Sequence, residues 1–267
     1  WIRSVEKGNA LDATEASTGL YRGFCARHDN NGDQDGKDIL WVAGRSENTT
    51  SAIAFLDKYD ATTGEYLGQL TLGSGYSTSY RPCNDVFLDD ANNICIHNMA
   101  LANGTLQIVT VDPKNGKVAE RFSTKVAERI DHARVVGDAT SKNFYVVAAS
   151  PNSTIYRWTV SNGSSSNPET QTISGYYPSK AASTTVTTFG TAPRIYPVSS
   201  SYFYIDGSST AFTLYKWGQS TPVGSFASTT STEIIPSHNL GNGGTFFYHN
   251  DIPMIVYAAD DQQATTT

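Results

Sequence analysis

Charge is scarce in this chain: Asp, Glu, Lys and Arg make up 16 % of 267 residues, against 11 % aromatics and 22 glycines. Sparse charge with many Gly, Thr and aromatic residues suits pleated sheet and turns rather than solvent-facing helices. Basic residues are the minority, 19 Lys and Arg to 25 Asp and Glu, giving a net charge of −6. No basic stripe is available to displace phosphate counterions, which argues against a nucleic-acid partner. No apolar run approaches the roughly 20 residues that a membrane-crossing helix needs. Cysteine numbers only three, Cys25, Cys83 and Cys95, too few for a disulfide framework. Cys83 and Cys95 flank "NDVFLDDANNI", a hairpin turning near Ala91 and Asn92. That register sets Cys95 opposite about Leu88 and Cys83 out of bridging reach, so buried free thiols are expected.

Catalytic signatures are also lacking. There is no Gly-x-Ser-x-Gly elbow, His-Glu-x-x-His helix, phosphate loop or Cys-x-x-Cys pair. His28, His97, His132, His238 and His249 show no metal-ligand spacing, although strands from different repeats could bring some of them together. The chain opens on Trp1 and stops on "ATTT", which reads as a processed or trimmed segment. No signal peptide is visible, and an extracytoplasmic location (secreted, periplasmic or cell surface) is an expectation from composition alone. Asn48, Asn103, Asn152 and Asn162 head Asn-x-Ser/Thr triplets, but Ser and Thr are frequent enough to produce such triplets by chance.

What is present is a repeat. "FLDKYDATTGEYLGQLTL" and "IVTVDPKNGKVAERFST" share one design: an alternating strand ending in Asp, a short turn ending in Gly, and a returning strand. Asp60 with Gly64 matches Asp112 with Gly116. Asp opens such a turn by bonding its own backbone, and Gly accepts the positive φ that closes it. "IYRWTVSNGSSSNPETQTI" and "TLYKWGQSTPVGSFAS" are looser versions. Each hairpin has a strand pair upstream: "YRGFCARHD" with "DILWVAGR", "RPCNDVFLD" with "NICIHNMA", "HARVVGDA" with "NFYVVAAS", and "APRIYPVS" with "SYFYIDGS". The unit is four strands, at the spacing of propeller blades.

Four complete units are followed by a fifth, "TEIIPSHNLGNGGTFFYHNDIPMIVYAADD", which runs out after its third strand. The sequence predicts one all-β domain over residues 1–267: a β-propeller of about five four-stranded blades. A strand from "WIRSVEKG", near Ile2 to Val5, would supply the missing outer strand and close the ring, removing exposed sheet edges. Two antiparallel sandwiches are the competing architecture. The single helical hint is "STKVAERI", before Asp131.

The blade pattern and its Asp-x-x-x-Gly hairpins resemble the secreted β-propeller proteins of unknown function common in gut Bacteroidota. The resemblance implies an extracytoplasmic propeller and supplies no catalytic residue. A second likeness concerns "DNNGDQDGKD", between the first two strands. It resembles the calcium loop of FG-GAP propellers such as integrin heads, whose pattern is Asp-x-Asp/Asn-x-Asp-Gly-x-x-Asp. On that pattern Asn31, Asp33 and Asp35 take the first three ligand positions and Gly36 the turn. Asn31 stands where the pattern has Asp, and Asp38 comes one residue early, so a calcium site here would be weak. An acidic hairpin capping its own backbone is the other reading, and no other cofactor is indicated.

Arg22, Arg81, Arg134 and Arg194 each fall at or just inside the start of a unit's first strand. Equivalent positions around a propeller form a ring, so these guanidiniums are expected to converge at the upper mouth. Buried cations persist only when paired, and Asp85, Asp131 and Glu233 lie near the same ends. The cluster is then either a structural ion network or an anion site, where Arg offers a bidentate fork. The preceding loops are aromatic: "GSGYSTSYRP" carries Tyr76 and Tyr80, and "SGYYPSK" carries Tyr176 and Tyr177. Tyr suits sugar stacking and protein contact. Trp41, Trp158 and Trp217, within apolar strands, are expected to pack between blades.

The candidate ligand residues are thus Arg22, Tyr80, Arg81, Asp131, His132, Arg134, Tyr177, Arg194 and His238. The leading functional expectation is a non-catalytic binding module for a glycan or protein ligand. A glycoside hydrolase or polysaccharide lyase using His132 or His238 in proton transfer is the first alternative. A structural subunit of a surface assembly is the second.

Overall fold

The computed structural model describes residues 21–30, 34, 36–46, 52–73, 76, 82–151, 154–173, 194–206, 213–225, 240–249 and 252–259. Two compact units make up the chain, Trp1–Ala127 with Asp138–Ser141, and Glu128–Gly137 with Lys142–Thr267.

In the first unit, β1 (Tyr21–His28), β2 (Asp38–Arg45), β3 (Ala54–Asp60) and β4 (Tyr66–Thr71) form one sheet. A second is formed by β5 (Asp85–Leu88), β6 (Ile94–His97), β7 (Thr105–Val111) and β8 (Val118–Lys125). The second unit contains β9 (His132–Val136), β10 (Phe144–Ala149) and β11 (Thr154–Ser161), with a fourth strand split into β12 (Ser164–Ser165) and β13 (Glu169–Thr172). Next come β14 (Arg194–Pro197), β15 (Tyr202–Asp206), β16 (Thr213–Lys216) and β17 (Gly224–Ser225), then the hairpin of β18 (Leu240–His249) and β19 (Ile252–Ala259). Strand order follows chain order in every four-stranded sheet, and every pairing is antiparallel. The fold is all-β, and its repeating element is the four-stranded meander of a β-propeller blade.

Burial explains the repeat. β2, β3, β7 and β10 are covered on both faces, whereas the last strands β4 and β8 are largely exposed. Two-sided burial requires a neighbouring sheet, and each unit supplies one. In the first unit Cys25, Ile39, Trp41 and Leu56 pack with Val86, Ile94, Ile96 and Val109. In the second, Val147, Ala149 and Ile155 pack with Ile195, Phe203, Ile205 and Tyr215. Successive sheets also meet through their first strands, β1 against β5 and β9 against β14. Trp41 and Trp158 are buried and Trp217 packs against the second core, as the apolar strands around them predict.

The Asp–Gly hairpins form as expected. Asp60 Oδ1 accepts the Thr62 and Thr63 N–H groups, and Asp112 Oδ1 accepts that of Lys114. Gly64 and Gly116 close these turns at φ 75° and 72°. A second series, which the sequence suggested only for the first unit's acidic hairpin, recurs: the turn after each first strand is also opened by a side-chain acceptor. Asp29 Oδ2 takes the Gln34 N–H, Asp89 Oδ1 those of Ala91 and Asn93, and Asp138 Oδ1 that of Thr140. Ser199 Oγ does the same for Ser201 and Tyr202.

Three local expectations are corrected. Cys95 faces Phe87, one position earlier than the hairpin reading placed it, because the turn is tied from Asp89 to Asn93. None of the three thiols is in a disulfide, and all three are buried. "STKVAERI" begins as the end of β8 instead of a helix, since Ser123 to Lys125 pair with Thr105 to Gln107. Tyr76 does not belong to a ligand-facing loop: it packs against the first core, and its hydroxyl accepts the Cys83 N–H at 3.0 Å. The fifth unit is described as two strands; its expected first strand and the closing strand near Ile2 lie outside the described residues. Among the described residues no helix is long and apolar enough to cross a membrane.

Candidate functional site

β9 and β14 are short first strands, and both carry polar side chains at or near their starts. In β9, His132 and Arg134 share a face by the period-two rule, and in β14 Arg194 and Tyr196 do the same. Because β9 packs against β14, these four side chains meet. The Ile195 N–H donates to His132 Nδ1 at 3.0 Å. The His132 ring lies tilted against Tyr196, with ring centroids 5.4 Å apart. The Arg134 guanidinium sits 5.9 Å from the centroid of the same Tyr196 ring and donates to the Ala133 carbonyl at 3.0 Å. All four are deeply buried: His132 is 3 % exposed, Arg134 and Arg194 5 %, and Tyr196 1 %.

The electrostatics follow from this packing. Burial, then Arg134 and then Arg194, hold the His132 ring well below the ordinary imidazole range. The ring is therefore neutral at pH 7. Since its Nδ1 accepts the Ile195 N–H, the proton of the neutral tautomer sits on Nε2. The cluster gathers two guanidiniums and an imidazole N–H, chemistry suited to holding an anion rather than to removing a proton.

Of the arginines expected to converge, Arg134 and Arg194 do so around His132. Arg22 lies in β1, and its side chain is outside the described residues, as are Tyr80, Arg81, Tyr177 and His238. Asp131 makes a bidentate ion pair with Arg129, Nε to Oδ2 at 2.7 Å and Nη2 to Oδ1 at 2.8 Å. Sequence reasoning missed Tyr196 and Arg129. Tyr196 stands two residues from Arg194, and on a strand that spacing means the same face.

The first unit has a buried cation from a different source. Arg45 ends β2, beside the start of β1, and is fully buried. It acts on Tyr76 and Cys83, but burial dominates both: Tyr76 is pushed well above the ordinary phenol range, and Cys83 up to about 12.

The candidate metal residues Asn31, Asp33 and Asp35 lie outside the described residues. The described part of that loop is organised by Asp29, which is buried; its N–H donates to the Lys37 carbonyl and its carbonyl accepts the Gly36 N–H, each at 2.8 Å. Among the described residues no group of three His, Cys, Asp or Glu side chains is arranged to hold a metal ion.

No family model matches the chain, and no curated protein matches it. Among solved structures it is similar to U3-55K, with a TM-score of 0.45 and 9 % identity over 83 % of this chain and 53 % of that one. It is also similar to the C-terminal WD40 domain of Sif2, with a TM-score of 0.39 and 16 % identity over 83 % of this chain and 52 % of that one. The chain spans about half the length of each.

Proposed function

We propose that this protein is a non-catalytic binding module working outside the cytoplasm, and that the starts of β9 and β14 receive an anionic group carried by a glycan. The observation that supports this is the convergence of Arg134 and Arg194 on a neutral His132. Guanidinium forks match carboxylate and sulfate geometry, and a recessed pair is screened less by salt than an exposed one. The burial of these groups favours a small charged substituent, a uronate carboxylate or a sulfate ester, over a broad acidic surface. By sequence position alone, Arg22, Tyr80, Arg81, Tyr177 and His238 are proposed as further ligand contacts, each within its own repeat. Low charge, abundant Ser, Thr and Tyr, and the resemblance to secreted propellers support the location.

The enzymatic alternative gains no support from His132. Its Nδ1 is engaged by the Ile195 N–H, and further protonation is opposed by burial and two cations, so the ring orients rather than transfers protons. A glycan array carrying carboxylated, sulfated and neutral members, with matched turnover assays, tests the proposal. Binding confined to anionic glycans without bond cleavage is the expected result. Cleavage of any bound glycan would favour a hydrolase or lyase, and an array without binding would leave a protein partner or an assembly role.

A further inference from the structure

The two sheets built on β9 and β14 are linked at their first strands by a side chain, where no backbone ladder joins them. β9 and β14 are edge strands of different sheets, and the Ile195 N–H reaches across to His132 Nδ1. Among the described residues, the groups facing the ring come from three elements. β9 contributes Arg134, and β14 contributes Arg194 and Tyr196. β10 pairs Ala149 with His132; it contains no charged residue, and Tyr145 is its one titratable group. Asp131, next to the ring in sequence, is engaged by Arg129.

We propose that His132 is an acid-released latch: its neutral Nδ1 lone pair ties β14 to β9, and taking up a proton frees β14. Protonation turns the Nδ1 acceptor into a donor, which would then face the donor of Ile195. It also adds a third positive charge beside Arg134 and Arg194, in a site too buried for water to screen it.

The sign follows from linkage. The folded ring resists protonation because burial and the two guanidiniums disfavour its charged form. An opened or unfolded imidazole takes a proton near its ordinary value of about 6.5. The open state therefore binds more protons as pH falls through that value. The latch is fully closed above it and weakens by up to about tenfold in the closed-to-open ratio per pH unit below it. Unlike the anion-binding proposal, this inference needs no ligand.

The test is native-state hydrogen exchange at the Ile195 amide from pH 7.5 to 5.0, corrected for the intrinsic pH dependence of exchange. In the wild type, protection is expected to be constant above about pH 6.5 and then to fall by up to about tenfold per unit. In His132→Asn the side-chain carbonyl can still accept the Ile195 N–H but does not titrate, so protection should stay flat. Flat protection in the wild type, or an equal slope in His132→Asn, overturns the latch. Should His132→Asn fail to fold, the His132 ring of the wild type is followed by NMR. A ring that stays neutral in the folded protein while Ile195 protection falls supports the latch, and a ring titrating near its ordinary value without loss of protection overturns it.

Discussion

The carboxylate of Asp85 occupies the space that a side chain at position 23 would fill. A β-carbon on Gly23 would overlap Asp85 Oδ1 and come within 2.9 Å of the Val86 backbone nitrogen. This close approach is how β1 packs against β5, and it makes Gly23 a packing requirement rather than a flexible point. Asp85 is held in place, since it is 1 % exposed and its Oδ1 accepts the Val86 N–H at 2.8 Å. Gly23→Ala should therefore cost about 3 kcal/mol of unfolding free energy. In a double-mutant cycle with Asp85→Ala, the two changes should fall short of additivity by about 1 kcal/mol or more. Urea denaturation of the four proteins measures it, and strict additivity would mean that the two residues do not share the space.

Gly116 and Gly163 both have positive φ, at 72° and 78°. A β-carbon at Gly163 meets nothing within 4 Å, whereas one at Gly116 would overlap the Thr71 carbonyl oxygen. Gly163→Ala should cost about 1 kcal/mol, the backbone penalty alone. Gly116→Ala should cost at least about 2 kcal/mol more, because β4 must also move. Thermal unfolding of both variants would expose an error here as equal shifts.

Asp89 is 5 % exposed and accepts four hydrogen bonds, from the Ala91 and Asn93 backbones, the Asn93 side chain and the Ala139 backbone. Its removal leaves the buried Ala139 N–H and the part-buried Asn93 donors unmet, so Asp89→Ala should cost about 3 kcal/mol or more. Asp112 serves a more exposed turn of the same kind, accepting from the Lys114 N–H and the Asn115 side chain. Asp112→Ala should cost only about 1 kcal/mol. Chemical denaturation of the pair checks the ranking.

The thiols should be silent in the folded protein. Cys25, Cys83 and Cys95 are buried, and burial pushes Cys83 up to about 12, where almost no thiolate exists at pH 8. Ellman's reagent should titrate none of these three in the native state and all three in guanidinium. Rapid labelling of native protein would contradict the burial.

The strand sequence of the blades was legible because alternation and turn chemistry are local. "YRGFCARHD" overruns β1 by one residue and "DILWVAGR" coincides with β2, and the Asp–Gly hairpins close as their sequences predict. The convergence of Arg134 and Arg194 was legible for the same reason, because a repeated position in the sequence is a repeated position in the fold. Other features depend on packing that no local pattern encodes. Tyr76 looked like a loop aromatic, yet its ring joins the core and its hydroxyl satisfies the Cys83 N–H. Arg45 supplies a buried cation from the far end of β2, a position that strand-start periodicity does not sample. The Asp89 cap was not legible in "DDANN" because a buried Asp and a solvated one are the same letter.

The central claim is tested most directly by calorimetric titration of a uronate or sulfated oligosaccharide into the intact protein, its Arg134→Lys and Arg194→Lys variants, and a neutral oligosaccharide control. The account predicts binding of the anionic glycan to the wild type, weakened by rising salt. It also predicts at least about tenfold loss in either lysine variant while the protein still folds, because charge is kept and the planar fork is lost. Equal affinity in the wild type and both lysine variants, or no heat from any anionic glycan, would contradict it and leave His132, Arg134 and Arg194 as a structural cluster.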